Sequence, residues 1–503
     1  MTFRKTTLLA ALLSATALSA QAADFRFALE SDPDILDPDQ SRTFVGRIVY
    51  TSLCDKLVDI TPDLEIIPQL ATGWSWNEAG TQLTMQLRED AVFHDGTPFD
   101  AEAVAANIER SQTMEESRRK SEVASIIGTE VLGSHEIRID LGQPDATLLA
   151  QFADRAGMMV SPTAAAEAGA DFGLMPVCSG PYKFEERISQ DRIVLSKFAD
   201  HYDADAYGFD TVTFLPIPDD TVRLANLQSG DVDMINRLAA TDLARIEADP
   251  EIEVAQAISL GYQGVTFNVG NGEAADNPWG TDARLRRAFE LTLDRNAINQ
   301  VVFEGASAAG NQPFPPNSPW YDSAVPMPER DIEAAKALLA EAGYPDGIAL
   351  EVQVPNRPVS MQLMQVVQSM AAEAGIDITL NAKEFATMLA DQSAGAYVAS
   401  QVGWSGRVDP DGNIHQFVTT EGGINDSGFS HPEVDAALDA ARTSSDIAAR
   451  KEGYDAARKI LNEEAPLVYI YHDTWIWAMA DDITGFTPYP DGMLRLAGVT
   501  KSE

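Results

Sequence analysis

The chain has 503 residues, 45% hydrophobic and 22% charged, with a formal net charge of −41. That length exceeds one ordinary core and implies roughly three to four domain-sized units, and the composition argues against a disordered or fibrous protein. So negative a charge argues against nucleic-acid and anionic-membrane partners, although it does not imply a cationic ligand.

Residues 1–22 read as a signal peptide. Arg4 and Lys5 form a basic head, Leu8 to Leu18 an apolar stretch too short to span a bilayer, and Ala20-Gln21-Ala22 a small-residue exit. The mature chain is expected to start at Ala23. No later run is long and apolar enough to span a membrane, so stable membrane insertion is not expected. The implied compartment is the periplasm of a Gram-negative bacterium.

Cys54 and Cys178 are the two cysteines. In an oxidising compartment they read as a disulfide or as two buried thiols. A structural zinc site needs about four ligands, and the six histidines are scattered, so no cofactor or metal is expected.

Leu83, Met85 and Leu87 alternate with polar neighbours, as do Ile137, Ile139 and Leu141, which predicts half-buried strands. Asp100 precedes the apolar stripe Ala101, Val104, Ala105 and Ile108, a capped helix. Residues 56–177 therefore read as an α+β unit. Asp331 caps a second helix with Ala335, Leu338 and Leu339 inward, closed at Gly343. The strand Ile348–Val354, a helix through Met364 and Val367, and the strand Ile376–Leu380 follow. Their αβαβ order predicts an α/β lobe.

Enzyme signals are weak. Ser117-Arg118-Arg119-Lys120 has the spacing of a serine acyl-transfer motif, but no Lys-Thr-Gly accompanies it and the stretch reads as polar and exposed. Asp409, Asp411 and Asn413 begin like a calcium loop, with Ile414 where its glycine belongs. A secreted hydrolase of peptides or esters is the alternative from a different class, separated by its turnover of substrate.

Several segments, in order, carry a resemblance. They are Pro68-Gln69-Leu70-Ala71-Thr72-Gly73-Trp74, Val92-Phe93-His94-Asp95-Gly96-Thr97-Pro98-Phe99, Ser179-Gly180-Pro181-Tyr182-Lys183-Phe184, Leu227-Gln228-Ser229-Gly230-Asp231-Val232-Asp233, Arg284-Leu285-Arg286-Arg287-Ala288-Phe289 and Gly403-Trp404-Ser405-Gly406. With them the chain resembles the extracellular solute-binding proteins of family 5, the peptide- and nickel-binding type. Most motif residues read as scaffold: His94 stands in a turn, and Asp294-Arg295 reads as a local ion pair.

The resemblance implies an α/β, two-lobed periplasmic-binding-protein fold (class II-like, cluster C) with an extra α+β subdomain and a two-segment hinge. Lobe I would combine 23–55, 178–262 and 484–503, the subdomain 56–177, and lobe II 263–483. The crossings would fall near Gly261–Asn268 and Asp481–Gly485. It further implies a non-enzymatic, monomeric component of an ABC importer that binds a peptide or other small organic solute between the lobes and delivers it to permease subunits. A nickel- or metal-chelate-binding role is the alternative within the family. Cys54 and Cys178 would then join the two ends of the subdomain in a disulfide.

Peptide-binding members hold the ligand's amino group with an Asp shortly after a Trp; here Arg407 occupies that place, with Asp409 as a substitute. Arg357-Pro358 resembles the segment that holds a peptide carboxylate. Arg407 and Arg357 thus imply a carboxylate-bearing ligand, with Trp404 and Tyr262 as walls. The plainer alternatives are that Arg407 pairs with Asp409 or Asp411 as loop support and that both rings are core.

Overall fold

The computed structural model describes residues 24–316, 318–444 and 446–502. The signal segment expected over 1–22, and Ala23 after it, lie outside the described residues.

Three sheets organise the chain. The largest has seven strands, in the order Ile252–Ile258, Thr474–Ala480, Met234–Ile235, Asp24–Leu29, Thr211–Pro216, Arg192–Lys197 and Tyr182–Ile188. Asp24–Leu29 runs parallel to Thr211–Pro216, Phe25 facing Val212, and buries Phe25, Phe27 and Leu29. Phe25 stacks on Phe209 at 4.8 Å and Phe27 meets Phe214 edge-on at 6.1 Å, the geometry that aromatic quadrupoles favour.

The second sheet has six strands, in the order Ala308–Ala309, Leu467–His472, Tyr262–Phe267, Ala399–Trp404, Ile348–Pro355 and Ile376–Lys383. Ile348–Pro355 and Ile376–Lys383 are parallel, joined by the helix Pro358–Ala372, whose Leu363, Met364 and Val367 are buried. This is the predicted α/β lobe. The third sheet is a four-stranded antiparallel unit, in the order Ala71–Trp76, Gln82–Leu87, Glu136–Leu141 and Ile126–Gly133. Against it packs the helix Ala101–Thr113, whose Asp100 accepts a bond from the Ala103 amide at 2.9 Å.

The first crossing falls at the edge of the expected span and the second departs from it. Tyr262–Phe267 belongs wholly to the second sheet, so Tyr262 opens lobe II and the first crossing is Ser259–Gly261. Thr474–Ala480 pairs with Ile252–Ile258 in the first sheet, so lobe II ends at His472 and the second crossing is Asp473, not 481–485. The crossings are bonded to each other: the Ser259 amide donates to the Asp473 carbonyl at 3.0 Å and His472 Nδ1 to the Gly261 carbonyl at 2.7 Å. Gly261 cannot be larger, because a Cβ there would lie 1.7 Å from the Trp404 carbonyl oxygen.

Cys54 and Cys178 are joined in a disulfide with Cα atoms 4.9 Å apart, where the chain leaves lobe I for the third sheet and returns. His94 sits beside that return. Its Nε2 faces the Gly180 carbonyl at 2.9 Å, and the Cys178 amide donates to its Nδ1 at 3.3 Å. Asp294 and Arg295 do not pair: Asp294 caps the helix Arg295–Phe303, and Arg295 reaches Glu290 at 3.1 Å and the Tyr469 carbonyl at 2.9 Å.

Candidate functional site

A cavity lies where the three units meet. Lobe I contributes Arg42 and Phe44, the third-sheet unit Arg119 and Arg155, and lobe II Tyr262, Trp404, Phe417 and Asp426 among others. Tyr262 and Trp404 are cross-strand partners at the ends of their strands, which places both rings on this wall. Phe417 meets Trp404 edge-on at 4.8 Å and Tyr262 at 6.0 Å, and Tyr469 meets Tyr262 at 4.8 Å. The Tyr262 hydroxyl is buried with no hydrogen-bond partner among the described residues.

The opposite wall is cationic. Arg119 and Arg155 are each 1% exposed, yet both line the cavity. Arg155 begins a short 3₁₀ turn capped by Asp154, and its Nη1 donates to the Ser41 carbonyl at 2.8 Å. Arg119 is engaged by Glu122, one turn on. Burial, and then the neighbouring Arg119, lower the Arg155 guanidinium to about 9. The Nε groups of Arg119 and Arg155 have no hydrogen-bond partner among the described residues.

Arg407 stands behind this wall and is not among the residues lining the cavity. Its guanidinium lies 4.0 Å from the centre of the Trp404 ring, and its Nε is 3.0 Å from Asp154, which Arg47 also grips. Burial raises the Asp154 carboxyl, but Arg407, Arg47 and Arg155 outweigh it and hold the group far below the usual carboxylate range. Asn413 fixes the loop. Its Oδ1 accepts from Trp404 Nε1 at 3.0 Å and from the Arg407 amide at 2.7 Å, and its Nδ2 donates to the Arg407 carbonyl at 3.0 Å.

Asp409 caps the 3₁₀ turn Pro410–Asn413 and is held by Arg450 at 2.9 Å, while Asp411 is held by Arg442 at 2.6 Å. Neither carboxylate is the ion-pair partner of Arg407. Arg357 lines a smaller pocket that shares Phe44, Phe385, Val402, Gly403 and Ser405 with the main cavity, and it pairs across the cleft with Glu30 at 3.2 Å. Of the five candidate ligand residues, the structure thus brings Trp404 and Tyr262 onto the main cavity, Arg357 beside it, and Arg407 and Asp409 into the supporting layer.

Sequence reasoning missed Arg119, Arg155 and the Arg42–Asp426 ion pair across the cleft. It read Ser117–Lys120 as an exposed stretch, whereas Ser117 and Arg119 are buried. The available signal was the Asp154-Arg155 pair in an otherwise apolar segment ending at Met158-Met159-Val160. Among the described residues no three histidine, cysteine, aspartate or glutamate side chains converge on a metal-sized site, and no helix is long and apolar enough to cross a membrane.

The family model for bacterial extracellular solute-binding proteins, family 5 Middle, matches residues 65–425. The chain belongs to this family. The family 5 protein is 27% identical over 499 residues to the glutathione-binding protein GsiB of Escherichia coli K12, covering 96% of each chain. It superposes on the dipeptide-binding protein of Pseudoalteromonas sp. SM9913 in complex with Met-Leu with a TM-score of 0.88 at 24% identity, covering 95% of this chain and 100% of that one. On AgaA of A. tumefaciens R10 in complex with agropinic acid the TM-score is 0.86 at 26% identity, with 95% and 99% covered. As a family 5 protein the chain is the non-enzymatic substrate-binding component of an ABC importer and works with that importer's permease subunits.

Proposed function

We propose that this family 5 protein works as a monomer in the periplasm of a Gram-negative bacterium, after losing its first 22 residues, and captures a small carboxylate-bearing solute of peptide-like size. The solute lies between Trp404 and Tyr262 on one side and Arg119 and Arg155 on the other, with Arg357 beside it. Arg407 orders Trp404 and Asp154 from behind, and Asp409 anchors the loop. The observation that carries this reading is the pair of buried arginines on the cavity wall, each with an Nε–H that has no hydrogen-bond partner among the described residues. A buried guanidinium without a full set of acceptors costs free energy, and a carboxylate matches its fork with two charge-assisted bonds. The names of two relatives agree, since glutathione and agropinic acid are both acids.

The test is a thermal unfolding panel of acidic, neutral and basic peptides and amino-acid conjugates. A ligand at a hundred times its Kd adds about 2.7 kcal/mol to the stability of the folded state. Acidic solutes should raise the melting temperature and neutral or basic ones should not. A shift confined to neutral or basic solutes would contradict the proposal.

A further inference from the structure

The carboxylates on the walls of the cleft are engaged by arginine, while Asp34 beside Arg42 accepts from the Ser41 and Thr43 hydroxyls. Asp426, on the cavity wall, holds Arg42, and Glu30, in the adjoining pocket, holds Arg237 and Arg357. Asp154 holds Arg47 and Arg407, and Glu122 holds Arg119. Asp409 and Asp411 are committed to Arg450 and Arg442. Behind Arg119, Asp37 and Asp39 share Arg110. The guanidiniums are less fully met: Nε of Arg119, Nε of Arg155 and Nη2 of Arg407 are buried with no hydrogen-bond partner among the described residues. Glu122 Oε2 also lacks a partner there, but Glu122 does not line the cavity and Arg119, Arg155 and Arg407 are its charged neighbours.

A desolvated ammonium is held most strongly by a carboxylate at hydrogen-bonding distance. On the walls of the two adjoining pockets both acids, Asp426 and Glu30, already carry a guanidinium, so an ammonium there would compete with arginine for its partner. A neutral amide meets no such penalty: its carbonyl can accept from an arginine N–H, and the buried Tyr262 hydroxyl is available to its N–H. The aromatic wall of Trp404, Tyr262 and Phe417 suits the apolar body of an acyl group.

We propose that the solute is a carboxylate whose nitrogen carries no positive charge, an N-acylated amino acid or peptide, and that free-amine peptides are selected against. The proposal rests on the reading that the cleft takes an anion and narrows it. Its second determinant is the Arg42 guanidinium paired with Asp426, the one carboxylate on the main cavity wall among the described residues.

Succinyl-leucine and the dipeptide Asp-Leu differ only by the ammonium group, which makes them the probes of choice for calorimetric titration of the mature protein, beside N-acetyl-Asp-Leu and its neutral analogue N-acetyl-Asn-Leu-amide. Succinyl-leucine and N-acetyl-Asp-Leu should bind about ten- to a hundredfold more tightly than Asp-Leu, the range expected when one charge-assisted hydrogen bond is made or opposed. Asp-Leu binding as tightly as succinyl-leucine, or more so, would overturn the proposal and leave the anion reading standing. The neutral analogue binding more tightly than N-acetyl-Asp-Leu, or no heat from any of the acids, would overturn both.

Discussion

His472 ends the last strand of lobe II and touches the hinge, where its Nδ1–H donates to the Gly261 carbonyl and a Cβ on Gly310 would lie 2.4 Å from its Nε2. Burial lowers this histidine to about 4, and burial does the same to His94 beside the disulfide. An unfolded histidine titrates near 6.5. The unfolded chain therefore binds these protons first, so the stability they contribute is present above about pH 6.5 and is lost as pH falls towards 4. Each can cost up to about 3 kcal/mol across that window. Chemical denaturation at pH 7.5 and pH 4.5 measures it. His472→Gln should make the acid loss smaller, whereas an unchanged slope would mean that the imidazole is not held neutral. The same scale explains why the sequence concealed the cationic wall. Arginine is a surface residue by default, and nothing in Ser117-Arg118-Arg119-Lys120 marks Arg119 as the buried one; only the three-dimensional meeting of Arg119, Arg155, Glu122 and Ser41 does so. Trp404 and Tyr262 were named through the resemblance alone, since a buried aromatic pair reads equally as core, and the two rings do pack with Ile424 and Tyr469.

Among the elements, strands with clean alternation were read correctly, and so were helices opened by Asp100 and Asp331. The second hinge was not legible because Leu467–His472 and Thr474–Ala480 are separated by Asp473 alone, without the glycine or proline that usually marks a change of direction. Both strands are nearly continuous in buried residues, so burial cannot say which sheet each joins. The Cys54–Cys178 bond works at this scale too. It ties the end of the helix Phe44–Leu53 to the chain that returns from the third-sheet unit, across a separation of 124 residues. Closing so long a loop in the unfolded chain contributes about 2–5 kcal/mol. The double variant Cys54→Ser, Cys178→Ser should lose that much in denaturant titration while the third-sheet unit stays folded by circular dichroism. A variant as stable as the parent, or free thiols titrated in the unreduced parent, would show that the bond is not part of the working protein.

For the whole molecule, three units, two bonded crossings and a cavity between them form one device. The lobes are held together across the cleft by Arg42 with Asp426, by Arg357 with Glu30, and by Arg407 with Asp154. A solute bound between Arg119, Arg155 and the aromatic wall contacts both sides at once, which biases the lobes towards closure through its differential affinity for the closed form. That two-sided grip makes affinity depend on both walls. It is tested most directly by calorimetric titration of the parent and of an Arg119→Met, Glu122→Gln, Arg155→Met variant with whichever acidic solute gives the largest thermal shift. Removing both cationic partners of a desolvated carboxylate should cost about 2–5 kcal/mol, or roughly 30-fold to several-thousand-fold in affinity. The empty variant should stay folded and lose no more than about 1–3 kcal/mol, the cost of leaving the Ser41 carbonyl without Arg155, because Arg119 is removed together with the carboxylate that it engages. Equal affinity in parent and variant would contradict the account.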